Sequence, residues 1–103
     1  MKKLLNKLGK TKLDNRIRLG IMSILMVNEW VGFKTLKEML GLTDGNLASH
    51  LKVLEQADYI RLKKEFVGRK PQTSYRTTAL GRKAFEDHLK ALEHLLKGSE
   101  NPD

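Results

Sequence analysis

Two sets of side chains in this sequence have the chemistry for contact with nucleic acid. Asn46 offers an amide, which can pair bidentately with adenine, and Ser49 offers a hydroxyl, which can donate or accept at several bases. Arg69 and Lys70 lie in a basic segment and can bind phosphate. We therefore predict two sets of nucleic-acid-contact residues, with Asn46 and Ser49 as the candidates for base contact. The first set is Thr43, Gly45, Asn46, Ser49, His50, Lys52 and Val53; the second, called here the phosphate-contact set, is Lys64, Arg69, Lys70, Gln72 and Thr73.

The same residues have ordinary structural roles that compete with nucleic-acid contact. Asn46 equally suits capping in the first turn of a helix, because its amide can accept a backbone N–H. His50 could reach a phosphate or pack against the first helix, and the sequence favours neither. Arg69 and Lys70 could be the solvated tip of a loop, although the charge around them favours phosphate contact.

Positive charge is concentrated in two blocks of the chain. The 103 residues carry 20 Lys and Arg against 12 Asp and Glu, a formal net charge of +8. Residues 1–18 contain seven basic side chains and one acidic, and residues 59–83 contain eight and one. The segments 19–58 and 84–103 are both net acidic. Because solubility does not require such blocks, we expect a polyanionic partner, with nucleic acid ahead of anionic membrane.

The residues before the second basic block include several that typically begin helices. Asp14 or Asn15 suits the N-cap of a first helix. Thr35 and Glu38 match the capping box, in which each side chain satisfies a backbone N–H at a helix start. Thr43 is the expected N-cap of a third helix after a short turn. The expected helices are residues 14–27, 35–40 and 43–57.

The third helix has distinct inner and outer faces. Leu47, Leu51 and Leu54 are spaced to face a core, and Gly41 is placed to end the helix before it. A solvated surface helix would carry Glu and Lys on its outer face. Here that face has small and amide-bearing residues that allow close approach of a partner, namely Gly45, Asn46, Ser49, Lys52 and Val53.

The second basic block has the pattern of a β-hairpin. Ile60, Leu62 and Phe66 alternate with charged residues, so they are expected to share the inner face of a strand. Residues 59–77 are therefore predicted to form a hairpin. Its parts are a strand at 59–66, a basic turn at 68–72 and a return strand at 73–77, with a brief extra strand at 30–33.

The carboxy-terminal region predicts a long helix with an apolar line. Thr78 would cap a helix over residues 78–97, and residues 98–103 would form a disordered tail. Residues 1–12 would form a basic amino-terminal arm. Because the apolar line is longer than this small domain can cover, we predict a homodimer, the alternative being that the helix folds back on its own domain. The predicted dimerisation residues are Leu4, Leu5, Leu8, Phe85, Leu89, Leu92, Leu95 and Leu96.

Composition excludes several other classes of function. The chain has no cysteine, so disulfides and thiolate chemistry are absent. No apolar run approaches the roughly 20 residues of a membrane span, and the amino terminus lacks the features of a signal peptide, so a cytoplasmic location is expected. No arrangement of catalytic residues stands out, and we expect neither enzyme activity nor a cofactor.

The carboxy-terminal helix carries residue types that can ligate metals. His88 and His94 lie about 240° apart around one helix, so they cannot share a metal from that helix alone. Asp87 and Glu93 could add ligands only across a dimer interface. We expect solvated helix residues rather than a metal site.

Residues 14–85, about seven-tenths of the chain, resemble the small winged-helix transcriptional regulators of the MarR-like and ArsR-like group. Asp58 departs from the pattern, because glycine often stands there, although Asp tolerates a left-handed backbone better than most residues. The terminal extensions are shorter than in typical MarR-like dimers, and the cysteine metal site of many ArsR-like sensors is impossible here. The resemblance is carried by Thr43, Gly45-Asn46-Leu47, Ser49-His50-Leu51, Leu54-Glu55, Tyr59-Ile60, Gly68-Arg69, Thr73, Tyr75, Thr78 and Gly81-Arg82.

These observations predict one mainly α (α+β) domain over residues 1–97. Its fold would be a winged helix-turn-helix with a two- to three-stranded β-wing and a long carboxy-terminal dimerisation helix. The resemblance implies a regulator of transcription that binds double-stranded DNA, with a repressor on a pseudo-palindromic operator as the simplest form. The alternatives are an architectural DNA binder and a winged-helix module that contacts protein or RNA. The sequence does not identify an effector.

Overall fold

The computed structural model describes residues 12–100 and places the side chains of residues 12–98. Of the predicted arm, only Lys12 falls within this range, and Leu4, Leu5 and Leu8 lie outside it. Within the described residues the chain has four helices and three strands. In order they are α1 (Arg16–Met26), β1 (Val31–Gly32), α2 (Phe33–Leu40), α3 (Asp44–Gln56), β2 (Ile60–Val67), β3 (Lys70–Thr77) and α4 (Ala79–Glu100).

The three strands form one antiparallel sheet in the order β1-β3-β2. The hairpin ladder runs from the pair Ile60–Thr77 to the pair Val67–Lys70, so the turn contains only Gly68 and Arg69. Gly68 has φ 66, which suits the two-residue turns that match strand twist. The predicted five-residue turn at 68–72 is therefore wrong, because backbone pairing continues to Lys70 and makes the return strand three residues longer.

The core lies where the three amino-terminal helices meet the sheet. Asn15 caps α1 by accepting the backbone N–H groups of Ile17 and Arg18 at 2.9 and 3.1 Å. Of the two predicted N-cap candidates, Asp14 and Asn15, it is therefore Asn15 that caps α1. Buried apolar residues come from every element, and the largest fully buried side chains are Leu13, Ile21, Met22, Leu25, Leu36, Leu47 and Leu54.

Helix α2 begins two residues earlier than predicted. Its N-cap is Gly32, which has no side chain to donate or accept, so the capping box of Thr35 and Glu38 is wrong. The cause is tertiary: Val31 and Gly32 pair with β3, and the chain passes directly from that strand into the helix. The predicted end is confirmed, since Gly41 adopts φ 63 and its N–H bonds the carbonyl of Lys37.

The hairpin leaves the body of the protein beyond its base. Ile60 is 2% exposed and Leu62 is half-buried, whereas Phe66 on the same face is 75% exposed. The expectation that Phe66 packs inward is wrong, because the strand extends past the last residue of the core. The outer half of the hairpin is therefore a projecting wing.

Asp58, Tyr59, Thr78 and Gly81 form a compact joint between α3, β2 and α4. Asp58 adopts φ 61, the left-handed conformation expected of it. The Thr78 hydroxyl donates to the Asp58 carbonyl at 2.6 Å and accepts the N–H of Gly81 at 2.9 Å, which caps α4. Gly81 lies so close to the strand that a Cβ atom there would be 2.1 Å from the carbonyl oxygen of Tyr59.

Helix α4 continues through Glu100, three residues beyond the predicted end at 97. The predicted disordered tail at 98–103 is therefore too long, since one glycine costs a helix only about 1 kcal/mol and the next proline is residue 102. Residues 101–103 lie outside the described range. Among residues 12–100, no helix has the length and apolarity needed to cross a membrane.

Gly81 and Gly45 allow a matched test of this packing. Gly81→Ala should lower the free energy of unfolding by about 1–3 kcal/mol, because the added methyl meets backbone that cannot move aside. Gly45→Ala should instead raise it by roughly 0.5–1 kcal/mol, because that position is helical and has open space around it. Urea unfolding of the two variants measures both values, and equal effects would contradict the described joint.

Candidate nucleic-acid interface

Burial of three leucines determines which face of α3 meets solvent. Leu47, Leu51 and Leu54 are 0–3% exposed within the core. The helix periodicity then turns the opposite face outward. Gly45, Asn46, Ser49 and Lys52 are all exposed there, as predicted, and Val53 is half-buried at the edge.

The first turn of α3 is capped without the side chain of Asn46. Thr43 accepts the backbone N–H of Asn46 on its hydroxyl at 3.2 Å. The Asn46 amide is exposed and makes no hydrogen bond within residues 12–100. Ser49 donates its hydroxyl to the Asn46 carbonyl at 3.0 Å, which leaves its oxygen able to accept. The Asn46 side chain therefore retains its full capacity for a partner.

Gly45 leaves open space on the same face. A Cβ atom at this position would meet nothing within 4 Å, and its backbone is not in the left-handed region. The fold itself therefore does not demand glycine here. The missing side chain lowers the surface beside Asn46, which allows a partner to approach the helix closely.

His50 contacts the first helix, one of the two alternatives left open by the sequence. Its Nδ1 lies 3.1 Å from Nη1 of Arg18, and because a guanidinium can only donate, Nδ1 accepts. Burial and then the charge of Arg18 lower the pKa of His50. Arg18 also donates from Nε to the carbonyl of Lys12 at 2.6 Å. A role for His50 in DNA contact stays a prediction.

The phosphate-contact set lies along the projecting wing. Lys64, Arg69 and Lys70 are exposed, and none has a carboxylate within 4.0 Å among the described residues. Thr73 is half-buried and pairs with Lys64. Gln72 is exposed overall, but its amide lies over Gly32, where a Cβ atom would be 2.8 Å away. The three basic side chains are therefore free to contact phosphate, whereas Gln72 also packs against β1.

A second cluster of basic side chains, on the outer face of the sheet, was not predicted from the sequence. Lys63 and Arg76 lie over the half-buried ring of Trp30, and Arg61 is the cross-strand partner of Arg76. The period-2 pattern placed Arg61 and Lys63 on the outer face, but neither Arg76 nor Trp30 could be joined to them without the strand register. Arg18 was missed for a similar reason, since its contact with His50 spans 32 residues.

The two histidines weighed as metal ligands, His88 and His94, differ in burial. His88 is 6% exposed and its Nδ1 has no hydrogen-bond partner among the described residues, while His94 is exposed. Burial lowers the pKa of His88. The charge of Asp14 raises it, but by less, so the pKa stays below its ordinary value. Among residues 12–100, no group of three or more His, Asp or Glu is arranged to hold a metal ion.

Comparison with known proteins relates this chain to a family model, to a protein of similar sequence and to solved structures. A family model described as winged helix DNA-binding domain matches residues 17–96. An uncharacterized protein of Methanocaldococcus jannaschii is 37% identical over 84 residues, which cover 82% of this chain and 91% of that protein. The structure of a transcriptional regulator homologue from Pyrococcus horikoshii matches with a TM-score of 0.87 and 30% identity, covering 98% of this chain and 100% of that chain.

A more distant structure shares the fold alone. Bacillus subtilis PadR, solved in complex with operator DNA, matches with a TM-score of 0.66 at 14% identity. The match covers 73% of this chain and 48% of PadR. Together these comparisons confirm the predicted winged-helix fold and its resemblance to transcriptional regulators.

Proposed function

The chain belongs to the winged helix DNA-binding domain family of transcriptional regulators, and we propose that it is a sequence-specific repressor that binds a pseudo-palindromic operator as a homodimer. The observation that carries this proposal is the outer face of α3, where Asn46, Ser49 and Gly45 are exposed beside one another. We propose that the protein acts in the cytoplasm, without catalysis, by occupying DNA.

In the proposed complex, α3 enters the major groove as the recognition helix. Gly45 permits close approach, Asn46 has a free amide for adenine, and Ser49 can accept from a base. Thr43 and Lys52, at opposite ends of the exposed face, would contact the flanking phosphates. The operator-bound state of PadR supports such docking for this fold.

The wing would lie on the neighbouring backbone of the DNA. Lys64, Arg69 and Lys70 carry charges that no acidic group neutralises among the described residues. Phosphate contacts of this kind release counterions and make binding depend on salt. They position the protein on DNA but carry no sequence information, which is left to α3.

The variant Arg69→Ala, Lys70→Ala tests the wing. Each lost phosphate contact should reduce the slope of log K against log salt by about 0.9, so the double variant should reduce it by about 1.8 on every duplex. Fluorescence anisotropy with labelled duplexes at several salt concentrations measures the slope.

The matched control is Lys83→Ala, Lys90→Ala, which removes the same charge from exposed positions of α4. Its slope should stay close to that of the parent. An unchanged slope in the wing variant would remove the wing from the contact surface. Parent binding that is insensitive to salt would favour the protein-interaction alternative.

The proposed dimer is supported by the exposed apolar line of α4. Phe85 is buried in the domain, but Leu89 and Leu96 are 45% and 64% exposed, with half-buried Leu92 between them. These last three leucines follow the 3,4 spacing that lets two helices interlock along a seam. A second copy, joined by two-fold symmetry, would cover them.

The variant Leu89→Glu, Leu92→Glu should be monomeric, because charge would enter the seam. Leu80→Glu is a single-charge control, since Leu80 is also exposed on α4 but lies on the side opposite Leu89. Sedimentation velocity at micromolar concentration should give a dimer for the parent and for the control. A monomeric parent would contradict both the dimer and the two-fold operator.

A further inference from the structure

The outer face of the sheet carries an unusual concentration of positive charge around one indole ring. Lys63 Nζ lies 4.4 Å and Arg76 Cζ 5.5 Å from the ring centroid of Trp30. Arg61 is the direct cross-strand partner of Arg76. Three cationic side chains therefore project from neighbouring positions of β2 and β3 on the face that Trp30 shares.

This charge is only partly neutralised. Lys63 has Glu65 at 3.7 Å, whereas neither Arg61 nor Arg76 has a carboxylate within 4.0 Å among the described residues. Like charges placed directly opposite each other destabilise a pair of strands. The indole face attracts Arg76, but it carries no net charge that could cancel the pair. Two guanidinium charges thus remain without a counterion.

The two arginines line a pocket large enough for a small ligand. The half-open cavity has a volume of about 490 Å³, within the range typical of small-molecule sites. Trp30 and Leu62 supply an apolar wall, and residues 77–79 complete the rim. Ala79 is the first residue of α4, so the positive end of that helix adds to the potential there.

The pocket is separate from the surface proposed to contact DNA. The pair Arg61–Arg76 lies six residues along the hairpin from the tip pair Val67–Lys70, which is about 20 Å at the rise of a β-strand. None of the pocket-lining residues belongs to α3. The nearest pair of the proposed phosphate-contact set, Lys64–Thr73, is three residues along the hairpin, so its side chains project from the opposite face.

We propose that this Trp30 pocket binds a small organic phosphate. A phosphate dianion matches the two unpaired guanidinium charges, whereas a single carboxylate would leave one of them uncompensated. Arginine also presents several donors in a fork that fits phosphate oxygens. The apolar wall of Trp30 and Leu62 would contact the organic part of the molecule. The inference does not depend on the proposed operator binding.

Trp30 is the only tryptophan in the chain, so its fluorescence reports on this pocket. Titration of the parent with inorganic phosphate, at constant ionic strength maintained with chloride, should give a saturable change in emission. The variant Arg61→Gln, Arg76→Gln should weaken the apparent affinity at least about tenfold, because it loses charge-assisted hydrogen bonds. The matched control Arg69→Gln, Lys70→Gln removes the same charge at the wing tip and should titrate like the parent.

A second readout separates binding from folding. Phosphate should raise the melting temperature of the parent and of the wing-tip variant, but not that of the pocket variant. Without phosphate, the pocket variant should melt at or above the parent temperature, because two opposed like charges are removed.

Three outcomes would overturn the proposal. The first is a parent whose Trp30 emission shows no saturable response to phosphate. The second is equal weakening in the pocket and wing-tip variants, which would reveal only general attraction to a cationic protein. The third is found by titrating a short DNA duplex. If the duplex reproduces the phosphate response, and the pocket variant alone loses duplex binding, these arginines serve the DNA backbone instead.

Discussion

The proposed interface on α3 depends on the burial of Leu47, Leu51 and Leu54 in the hydrophobic core. These leucines are among the least exposed side chains of the protein, and they fix the rotation of α3 about its axis. A rotation of one residue, 100°, would bury part of the outer face and expose the core leucines. The free energy of burying apolar side chains therefore specifies which polar groups of α3 are presented to solvent. Thr43 then fixes where the helix begins.

Much of this arrangement could be predicted from the sequence, because it depends on local periodicity. The leucine spacing of α3, its cap at Thr43 and the glycine that ends α2 are all short-range signals. The start of α2 has no local signal, because pairing of β1 with a strand 42–44 residues later determines it. Phe66 was misplaced because a period of two gives the face of a strand but not where the core ends.

The candidate site was also predictable where it depends on local sequence pattern. The exposed residues of α3 and the wing cations are where the sequence placed them. Contacts between distant side chains were not accessible, and Arg18 with His50 is the clearest case. The cluster at Trp30 likewise needs the register that sets Arg61 opposite Arg76. Such contacts depend on tertiary structure, so they have no local pattern in the chain.

Base reading by the outer face of α3 is the proposed property on which the function depends. It is tested most directly by selecting bound duplexes from a random pool with the parent and with an Asn46→Ala, Ser49→Ala variant. The parent should enrich a two-fold symmetric sequence with half-sites about 10 base pairs apart. The variant should lose about 1–3 kcal/mol on that sequence and far less on random DNA. Absence of enrichment with retained salt-dependent binding, or identical enrichment by the variant, would contradict it.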